Sequence, residues 1–353
     1  MKAGRGIGVG ILGTGFGVTT HYPAWSSIAG VQVMGFASRD AEHASRVSRE
    51  LGLAITRGTP EALLTSPDVE IIVVAVPPAV QPAFIEAALE AGKHVFAEKP
   101  LAPDVQKASR LVGLAERNGL CHGVNFCLRQ ARASVLLKRV IAEGRIGKPW
   151  RVVVIWHRGH RAEKDLEWNW KCDASMGGGV MNALGVHILD LLMWLFSDVL
   201  HGCGVRQINI PRRRDPSGRE RDVTGEDALS ALLSLANKVT AFVSLDTTAI
   251  GGNGLRMDFY GDCGSLHVRQ TTAEDVLGGF NVDISDRQGK TETLLYAHDL
   301  EEAGRVCLVG RMARDFVEAV RERKPFSPSF LDGLKVASAC SRLQLVTGTS
   351  SLF

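Results

Sequence analysis

The fold is indicated by one short stretch of the chain, which reads Lys93-His94-Val95-Phe96-Ala97-Glu98-Lys99-Pro100. Its apolar half predicts a buried strand, and its polar end places Lys99 where that strand leaves the sheet. Much earlier, a glycine-rich turn at Gly13 to Gly17 follows the apolar run Ile7 to Leu12. A lysine at the mouth of a nucleotide-binding sheet can carry a proton beside a nicotinamide ring. The two features together predict a nucleotide-binding α/β domain with an ionisable group at its edge.

Residues 7–124 alternate between strand-like and helix-like segments. Strands are expected at Ile7 to Leu12, Val31 to Ala37, Val69 to Val76 and Val95 to Ala97, with a last one running into Val124. Helices are expected between them, the first over residues 17–29 and the second with Asp40 as its N-cap. This rhythm predicts a parallel sheet with right-handed crossovers, and therefore a Rossmann domain over residues 1–124.

The pattern changes in the second part of the chain. After a helix over residues 131–143, strand-like segments dominate from Arg151 onward, with a buried helix over 180–196 and a late amphipathic helix from Arg305 to Arg323. Consecutive strands with short turns are typical of an antiparallel or mixed sheet. We therefore predict that residues 125–353 form an α+β domain built on a large, mostly antiparallel open sheet; its role in substrate binding and oligomerisation is implied by the family resemblance described below.

Two glycine patterns compete for the cofactor turn. A literal G-x-G-x-x-G runs from Gly8 to Gly13, but it lies inside the first strand, whereas a dinucleotide site needs the glycines after the strand and before a helix. The turn that meets this requirement is Gly13-Thr14-Gly15-Phe16-Gly17. It has Val18 where a small residue is usual, and Gly17 beside it can supply the close packing. An ordinary glycine-rich turn is the alternative.

The end of the second strand bears on the choice between the two nicotinamide cofactors. NAD sites usually have an acidic residue there to hold the ribose 2′-hydroxyl. This chain has Ser38 and then Arg39, which suit a 2′-phosphate better. Asp40 follows, and helix capping is its simpler role. The sequence therefore favours NADP(H), with NAD(H) as the alternative.

Composition excludes several classes of protein. The net charge is +3, from 41 basic and 38 acidic residues, which is too balanced to favour a nucleic-acid partner. The seven cysteines lack C-x-x-C spacing, so we expect reduced thiols in a cytoplasmic protein and no metal site. The most apolar segment, Ile188 to Phe196, is interrupted by Asp190, and we expect no membrane partner.

With these landmarks, the chain resembles the Gfo/Idh/MocA family, the glucose-fructose oxidoreductase and inositol dehydrogenase group, over nearly its whole length. The motifs that carry the resemblance are Gly10 to Gly17 with His21 and Pro23, Ala91 to Leu101, Gly144 to Pro149, Gly177-Gly178-Gly179 with Gly185 to Asp190, and Tyr260 to Leu266. The resemblance implies a Rossmann domain, a nicotinamide cofactor and a carbohydrate-like substrate.

The resemblance also implies roles for particular residues. Lys99 corresponds to the family's proton carrier and His187 to its histidine, which would hold the substrate hydroxyl or relay the proton. Many members have an aspartate four residues before that histidine, where this chain has Ala183. Asn182 is next to it, and it is a candidate substrate residue, although one step along an α-helix turns a side chain by about 100°. A core histidine is the structural alternative for His187.

The remaining candidates surround these two groups. The cofactor would also contact the end of the third strand and the strand-end polar groups, namely Val76, Pro77, Gln81, Glu98 and Asn125. Substrate would meet Arg129, Trp168 and Trp170, although the tryptophans equally suit core packing. The segment from Trp168 to Asp173 also resembles the vertebrate "glucose-fructose oxidoreductase domain-containing" branch of the family.

These expectations combine into one function with two rivals. We expect an NAD(P)-dependent dehydrogenase or reductase that prefers NADP(H), acts on a sugar, polyol or related carbonyl, and forms a homodimer or homotetramer. The first rival is a hydrolase or lyase with an internal redox cycle on tightly held cofactor. The second is a dinucleotide-binding sensor without turnover, for which Ala183 is the argument.

Overall fold

The computed structural model describes residues 6–271, 279–297 and 304–347, and the chain divides into two compact units. The first unit extends to Cys127 and includes Val306–Ala337, and the second comprises Leu128–Arg305 and the chain from Ser338 onward. The first boundary between the units, after Cys127, lies close to the boundary expected at residue 124. The return of residues 306–337 to the first unit differs from the continuous second domain that the sequence suggested.

The first unit contains a five-stranded parallel sheet in the order β2-β1-β3-β4-β5. Its strands are β1 (Ile7–Leu12), β2 (Val31–Ala37), β3 (Ile71–Val74), β4 (His94–Ala97) and β5 (His122–Val124). The chain leaves β1 toward one edge to form β2 and then continues on the other side with β3. In open parallel sheets a ligand binds at the carboxyl ends of the strands where the order reverses in this way, here between β1 and β3.

Helices cover this sheet. They are a π-helical turn at Gly17–His21, α1 (Tyr22–Ser26), α2 (Ala41–Glu50), α3 (Pro60–Leu64), α4 (Gln81–Glu90) and α5 (Val105–Arg117). The carboxylate of Asp40 accepts a hydrogen bond from the backbone N–H of His43 at 2.9 Å, which confirms Asp40 as the N-cap of α2.

The segment expected as a helix over residues 17–29 is helical from Gly17 to Ser26, but it is not one regular α-helix. The chain instead forms the π-helical turn, with the N–H of Tyr22 bonded to the carbonyl of Gly17, and then the short helix α1. Pro23 has no N–H to donate to the fourth carbonyl before it, so a regular α-helical ladder cannot continue through this point.

The second unit is built on a nine-stranded sheet in the order β15-β14-β13-β12-β6-β11-β10-β7-β16. The strands of this unit are β6 (Pro149–His157), β7 (Val199–Gln207), β8 (Arg212–Arg214), β9 (Glu220–Asp222), β10 (Ala228–Leu235), β11 (Thr240–Asp246), β12 (Gly254–Gly261), β13 (Gly264–Gln270), β14 (Phe280–Asp286), β15 (Thr291–Leu295) and β16 (Leu343–Thr347). Strands β8 and β9 form a separate hairpin. The pairs β6–β11 and β7–β16 are parallel and the others antiparallel, so the expected large, mostly antiparallel sheet is confirmed.

Two helices belong to this unit, α6 (Arg132–Ala142) and α7 (Val186–Leu195). Ile188 and Leu189 of α7 line a small apolar space together with Leu233 of β10 and Val243 of β11, so α7 packs on one face of the sheet. Within the described chain, one segment, Ala174–Leu195, is long and apolar enough to cross a membrane by length and composition. Its apolar window is 67% buried inside the protein, as in a core helix.

The chain returns to the first unit through α8 (Arg305–Glu322) and the start of α9 (Phe330–Ser341). Phe316 of α8 and Phe326, which follows it, meet Phe96 of β4 with ring centroids 5.3 and 6.3 Å away, and Trp25 of α1 lies 5.4 Å from Phe96. These edge-to-face contacts bury all four rings directly behind the strand that ends at Glu98 and Lys99.

Candidate active site

The glycine turn after β1 has the geometry of a dinucleotide site. Gly13 has a φ of +111°, and a Cβ there would lie 2.2 Å from the carbonyl oxygen of Ala75. A Cβ on Gly17 would lie 2.9 Å from the side chain of Ile11, so Gly17 does provide the close helix–strand packing. A Cβ on exposed Gly15 would meet nothing within 4 Å, which leaves its backbone open to a ligand. Half-exposed Thr14 and Phe16 flank it.

The competing G-x-G-x-x-G pattern lies within β1, as expected. A Cβ on Gly8 would come within 1.7 Å of the carbonyl oxygen of Asp68, and one on Gly10 would press on Leu63 and Ile72. These glycines therefore serve the packing of the sheet rather than a ligand.

Glu98 is the centre of a hydrogen-bond network at the end of β4. Its Oε1 accepts from the Nδ2 of Asn125 at 2.6 Å and lies 2.9 Å from the Nε2 of His21. The indole N–H of Trp25 points at the Nδ1 of His21 at 3.4 Å. Because an indole nitrogen only donates, the proton of a neutral His21 is on Nε2 and is donated to Glu98.

The charge of Glu98 is strongly stabilised. Burial alone would raise its pKa, but the hydrogen bond and charge of His21, the charge of Lys99 and the hydrogen bond from Asn125 lower the pKa to about 2. Glu98 is therefore an ionised carboxylate next to Lys99, whose backbone N–H is also directed at it at 3.3 Å. The side chain of Lys99 is half-buried.

Asn125 tests whether a cofactor fits here. Its backbone N–H bonds the carbonyl of Ala97, the side chain is 2% exposed, and its Nδ2 is used by Glu98. Its Oδ1 is buried without a hydrogen-bond partner in the described chain. This buried acceptor follows β5, at the same carboxyl edge of the parallel sheet as the open backbone of Gly15 after β1 and half-exposed Val76 and Pro77 after β3. It fits a bound dinucleotide, which carries donors in its amide and ribose groups.

The cofactor contact expected at Gln81 stays a prediction, and the structure shows a contact of another kind. Its side chain is 1% exposed, and its Nε2 donates to the carbonyl oxygens of Glu98 at 2.6 Å and Pro100 at 2.7 Å, with Leu101 at 3.2 Å. The structure thus gives Gln81 the role of holding the loop that carries Lys99.

The end of β2 presents Ser38 and Arg39. The hydroxyl of Ser38 donates to the carbonyl of Asp40 at 2.7 Å, and the Asp40 carboxylate is occupied by its capping bond. Arg39 is exposed and makes no ion pair within the part of the chain that the structure describes. A cation is therefore available at this strand end, while the nearest carboxylate is already used by the helix.

His187 lies in the second unit, on the first turn of α7, and is 8% exposed. A π-helical turn, Met181–Gly185, precedes α7, and Glu226 organises its start. The Oε1 of Glu226 accepts from the N–H of Met181 at 3.0 Å, and its carbonyl accepts from Val180 at 2.7 Å. Sequence reasoning did not identify Glu226, since it is far from α7 along the chain and carries no motif.

The π-helical turn also changes the neighbours of His187. In such a turn, residues five apart are bonded along the axis, so the four-residue spacing to Ala183 no longer defines the shared face. Ala183 is exposed, and Asn182 is half-buried with its Nδ2 donating to the carbonyl of Gly177 at 3.2 Å. The α-helical argument against Asn182 as a neighbour of His187 therefore does not apply here.

Arg129 and Asp190 form a buried ion pair within the second unit. The Nε of Arg129 donates to Oδ2 of Asp190 at 2.8 Å and its Nη2 to Oδ1 at 2.6 Å, and the side chains are 8% and 2% exposed. Two parallel charged hydrogen bonds fix the guanidinium. In the structure Arg129 joins the start of the second unit to α7, and its expected place in the substrate site stays a prediction.

The tryptophan pair lies beside the β8–β9 hairpin. The indole of Trp168 donates to the carbonyl of Asp222 at 3.0 Å, and the guanidinium of Arg221 lies 4.3 Å from its ring centre. Trp170 is half-buried, and the ammonium of Lys171 lies 6.0 Å from its ring. Trp168 is therefore held by the hairpin, while Trp170 keeps part of its face open. Residues 6–271, 279–297 and 304–347 contain no cluster of His, Cys, Asp and Glu that could hold a metal ion.

Comparison with known proteins agrees with this geometry. Residues 7–126 match the model of the oxidoreductase family with an NAD-binding Rossmann fold, and residues 135–267 match the Gfo/Idh/MocA C-terminal domain. The chain belongs to the Gfo/Idh/MocA family. It is an oxidoreductase with an NAD(P)-binding Rossmann domain, as the resemblance of its motifs implied.

Family members resemble the chain over nearly its full length. An uncharacterised oxidoreductase of Synechocystis is 29% identical over 95% of this chain and 92% of its own. Levoglucosan dehydrogenase of Pseudarthrobacter phenanthrenivorans is 25% identical, covering 94% of both chains. Inositol 2-dehydrogenase of Pseudomonas savastanoi is 25% identical over 94% of this chain and 91% of its own.

Solved structures share the fold. A levoglucosan dehydrogenase in complex with NADH and L-sorbose superposes with a TM-score of 0.85 at 22% identity, covering 94% of both chains. A 3-ketoreductase of Actinomadura kijaniata in complex with NADP and TDP-benzene gives 0.77 at 23% identity, covering 97% of this chain and 99% of its own. Since one structure holds NADH and the other NADP, the fold accommodates either cofactor.

Proposed function

We propose that the protein transfers a hydride between NADP(H) and a hydroxyl or carbonyl group of a sugar, polyol or related compound, with Lys99 as the proton carrier. The observation that carries this proposal is the network at the end of β4. An ammonium group lies there beside an ionised carboxylate, in the unit whose glycine turn leaves the backbone of Gly15 open. The relatives support the substrate class, because they are named for levoglucosan and inositol.

Lys99 has a physical basis for moving a proton at the substrate oxygen. A bound nicotinamide ring supplies or accepts the hydride. As the substrate carbonyl gains negative charge, the nearby ammonium of Lys99 donates a proton to its oxygen, and it accepts that proton in the oxidation direction. Glu98 stays ionised beside it and favours the protonated form of the lysine before each transfer.

His187 would hold the substrate hydroxyl from the second unit. Its place on the first turn of α7 is fixed by Glu226, which binds the start of the preceding π-helical turn. Half-buried Asn182 adds a polar group on that turn. In this proposal His187 and Asn182 position substrate, and Lys99 carries the proton.

The choice of NADP(H) rests on Arg39. Its guanidinium is exposed at the end of β2 and forms no ion pair with the residues that the structure describes, which suits the 2′-phosphate. The Asp40 carboxylate, which could otherwise bind a ribose hydroxyl, caps α2.

The direct test is turnover with a panel of sugars, inositols and anhydrosugars, measured by NADPH and NADH absorbance for the wild type and two lysine variants. Lys99→Ala should lose about 10²–10⁴-fold in kcat while retaining cofactor affinity. Lys107→Ala, on the exposed start of α5, is the matched control and should behave like the wild type. Wild-type activity in Lys99→Ala would contradict the assigned proton carrier. Cofactor binding without turnover of any panel compound would contradict the enzymatic proposal.

We also propose a cytoplasmic homodimer or homotetramer associated through the open face of the nine-stranded sheet. Leu232 of β10 and Phe242 of β11 are cross-strand neighbours that are 57% and 38% exposed in the single chain. All seven cysteines are free thiols, as suits a reducing compartment. Multi-angle light scattering should give two or four chains per particle, and a strict monomer would contradict the assembly.

A further inference from the structure

A group of positively charged side chains lies at the end of β6 in the second unit. We define the cationic cluster as Arg158, His160, Arg161, Lys171 and Arg305. Three of its members come from the four-residue turn that follows β6, Lys171 lies next to half-buried Trp170, and Arg305 begins α8. None of these residues has a role in the proposed hydride transfer.

The members of the cluster repel one another. The pKa of His160 is lowered to about 4, first because packing removes part of its hydration, although the residue remains exposed, and then by the charges of Arg158, Arg161, Lys171 and Arg305. The pKa of Lys171 is lowered as well, by burial and then by the charges of Arg161 and Arg305. In the described ranges, neither Arg161 nor Lys171 forms an ion pair with a carboxylate. The cluster therefore concentrates positive charge that these two side chains leave uncompensated.

The turn that carries these charges is held in place by backbone contacts. The N–H of Arg158 donates to the carbonyl of Asp246 at 2.8 Å, and that of Arg161 to the carbonyl of Thr247 at 2.9 Å. Below them, Arg213 is 3% exposed and donates to the carbonyls of Arg161 at 2.6 Å and Glu163 at 2.6 Å. These contacts fix the backbone of the turn, so the turn does not move to separate the repelling side chains.

The cluster is connected to the segment that positions His187. The carbonyl of Lys171 accepts from the N–H of Gly179 at 3.2 Å, and a Cβ on Gly178 would lie 2.5 Å from that same carbonyl oxygen. These glycines lead directly into the π-helical turn with Asn182. Lys171 is therefore packed against the start of the segment that, in the proposed function, meets substrate.

We propose that the cationic cluster binds an anionic group of the substrate, a carboxylate or phosphate carried by the sugar. This inference rests on the proposed function, since it names the substrate class of the same enzyme. A carboxylate or phosphate accepts charged hydrogen bonds from guanidinium and ammonium groups and lowers the repulsion among them. Arg161 and Lys171 are the principal ligands in this proposal, because neither forms an ion pair with a carboxylate in the described ranges. The guanidinium of Arg161 lies at Lys171, since its Nη1 donates to the carbonyl of Lys171 at 3.5 Å and its Nη2 to the Sγ of Cys172 at 3.0 Å.

The first experiment measures anion binding without turnover. Sulfate and inorganic phosphate are titrated into the full chain by calorimetry and by thermal shift, for the wild type, Lys171→Ala and Lys290→Ala. Lys290 lies in the exposed turn before β15 and is the matched control. We expect the wild type and Lys290→Ala to bind alike and Lys171→Ala to lose about ten-fold or more in affinity. Equal binding by all three proteins, or binding by none, would overturn the proposal.

The second experiment uses neutral sugars, the corresponding uronates and the corresponding sugar phosphates as substrates. The two anionic arms distinguish a carboxylate from a phosphate as the natural group. Lys171→Ala should raise KM about ten-fold or more for the preferred anionic compound and leave kcat and the KM of the neutral sugar unchanged. An equal effect on neutral and anionic compounds would mean that Lys171 acts structurally.

The two experiments separate failure of this inference from failure of the proposed function. If anion binding depends on Lys171 but no compound is turned over, the proposed oxidoreductase activity is contradicted and the anion-binding site is still supported. If only neutral sugars are turned over and Lys171→Ala does not change sulfate binding, the anion-binding site is contradicted and the proposed oxidoreductase activity is still supported.

Discussion

The end of β4 in the first unit and the end of β6 in the second differ in the charges that surround their ionisable groups. At β4, the carboxylate of Glu98 is surrounded by Asn125, His21 and Lys99, and its pKa is lowered to about 2. At β6, the cationic cluster brings like charges together, and the pKa of His160 is lowered to about 4 partly by its neighbours' positive charges.

The difference indicates what each region is built to do. A carboxylate with a full set of partners is fixed in position and charge, which in our proposal suits a group that lies beside the proton carrier Lys99. Within the described residues, Arg161 and Lys171 form no ion pair with a carboxylate, which suits a ligand that brings negative charge. The carboxylate of Glu98 has its partners within the protein, whereas the cationic cluster, in our proposal, has its partner in an anion.

The largest effect is expected at Gly15, because in our proposal the first unit binds the pyrophosphate of the dinucleotide through its backbone at this position. Gly15→Val should abolish measurable dinucleotide affinity, since the side chain would occupy the space where pyrophosphate approaches. The fold should survive, because a Cβ at this position meets nothing within 4 Å. Fluorescence titration with NADPH and circular dichroism measure the two effects, and unchanged affinity would refute the nucleotide site.

Arg39 tests whether the first unit also uses an unpaired cation for an anionic group. Arg39→Ala should weaken NADPH binding by about 1.5–3 kcal/mol, the range for a hydrogen bond to a charged group, and leave NADH nearly unchanged. The exposed Arg49 near the end of α2 provides the control variant Arg49→Ala. A wild-type preference for NADH would show that the reading of Ser38 and Arg39 is incorrect.

Glu98→Gln breaks the network at β4. We expect a loss of roughly 1–3 kcal/mol in the free energy of unfolding at neutral pH, since buried partners lose their charged acceptor. Because the folded pKa is about 2 and the usual value is 4.5, the advantage of the wild type should be complete above pH 4.5 and decline as the pH falls toward 2. Urea denaturation at pH 7 and pH 3.5 measures this, with exposed Glu90→Gln as control. A difference that does not depend on pH would exclude ionised Glu98 as its source.

Arg213 and Lys171 form the finest comparison, because both are cations of the second unit. Arg213→Ala should lower the melting temperature by several degrees, since the carbonyls to which Arg213 now donates would lose their hydrogen-bond partner. Lys171→Ala should change stability by no more than about 0.5 kcal/mol, as an exposed residue relieved of repulsion. Thermal melts of the two variants side by side decide this, and a larger loss in Lys171→Ala would show that its role is structural.

The sequence was sufficient for features that depend on local pattern. The strand Ile7–Leu12, the glycine turn after it and the Asp40 cap follow from periodicity and from the backbone requirements of a tight turn. The order of strand-like and helix-like segments predicted the Rossmann domain and the large second sheet, the family motifs implied the same domain, and both are confirmed.

Other features depend on residues that meet only after folding. Arg129 and Asp190 are 61 residues apart, so no local pattern reveals their ion pair. The role of Gln81 depends on three carbonyls of a distant loop. The cationic cluster likewise joins Arg158 to Arg305, and each member alone resembles an ordinary surface charge.

The return of α8 to the first unit has a consequence for biosynthesis. When the ribosome has released residues 1–127, Phe96 and Trp25 still lack Phe316 and Phe326, so their rings stay in contact with water. The nucleotide-binding unit can therefore close only after the whole second unit has been translated. A fragment that ends at Cys127 should expose this aromatic surface and aggregate. A chain in which a flexible linker joins Cys127 to residues 306–337 should restore the missing aromatic partners.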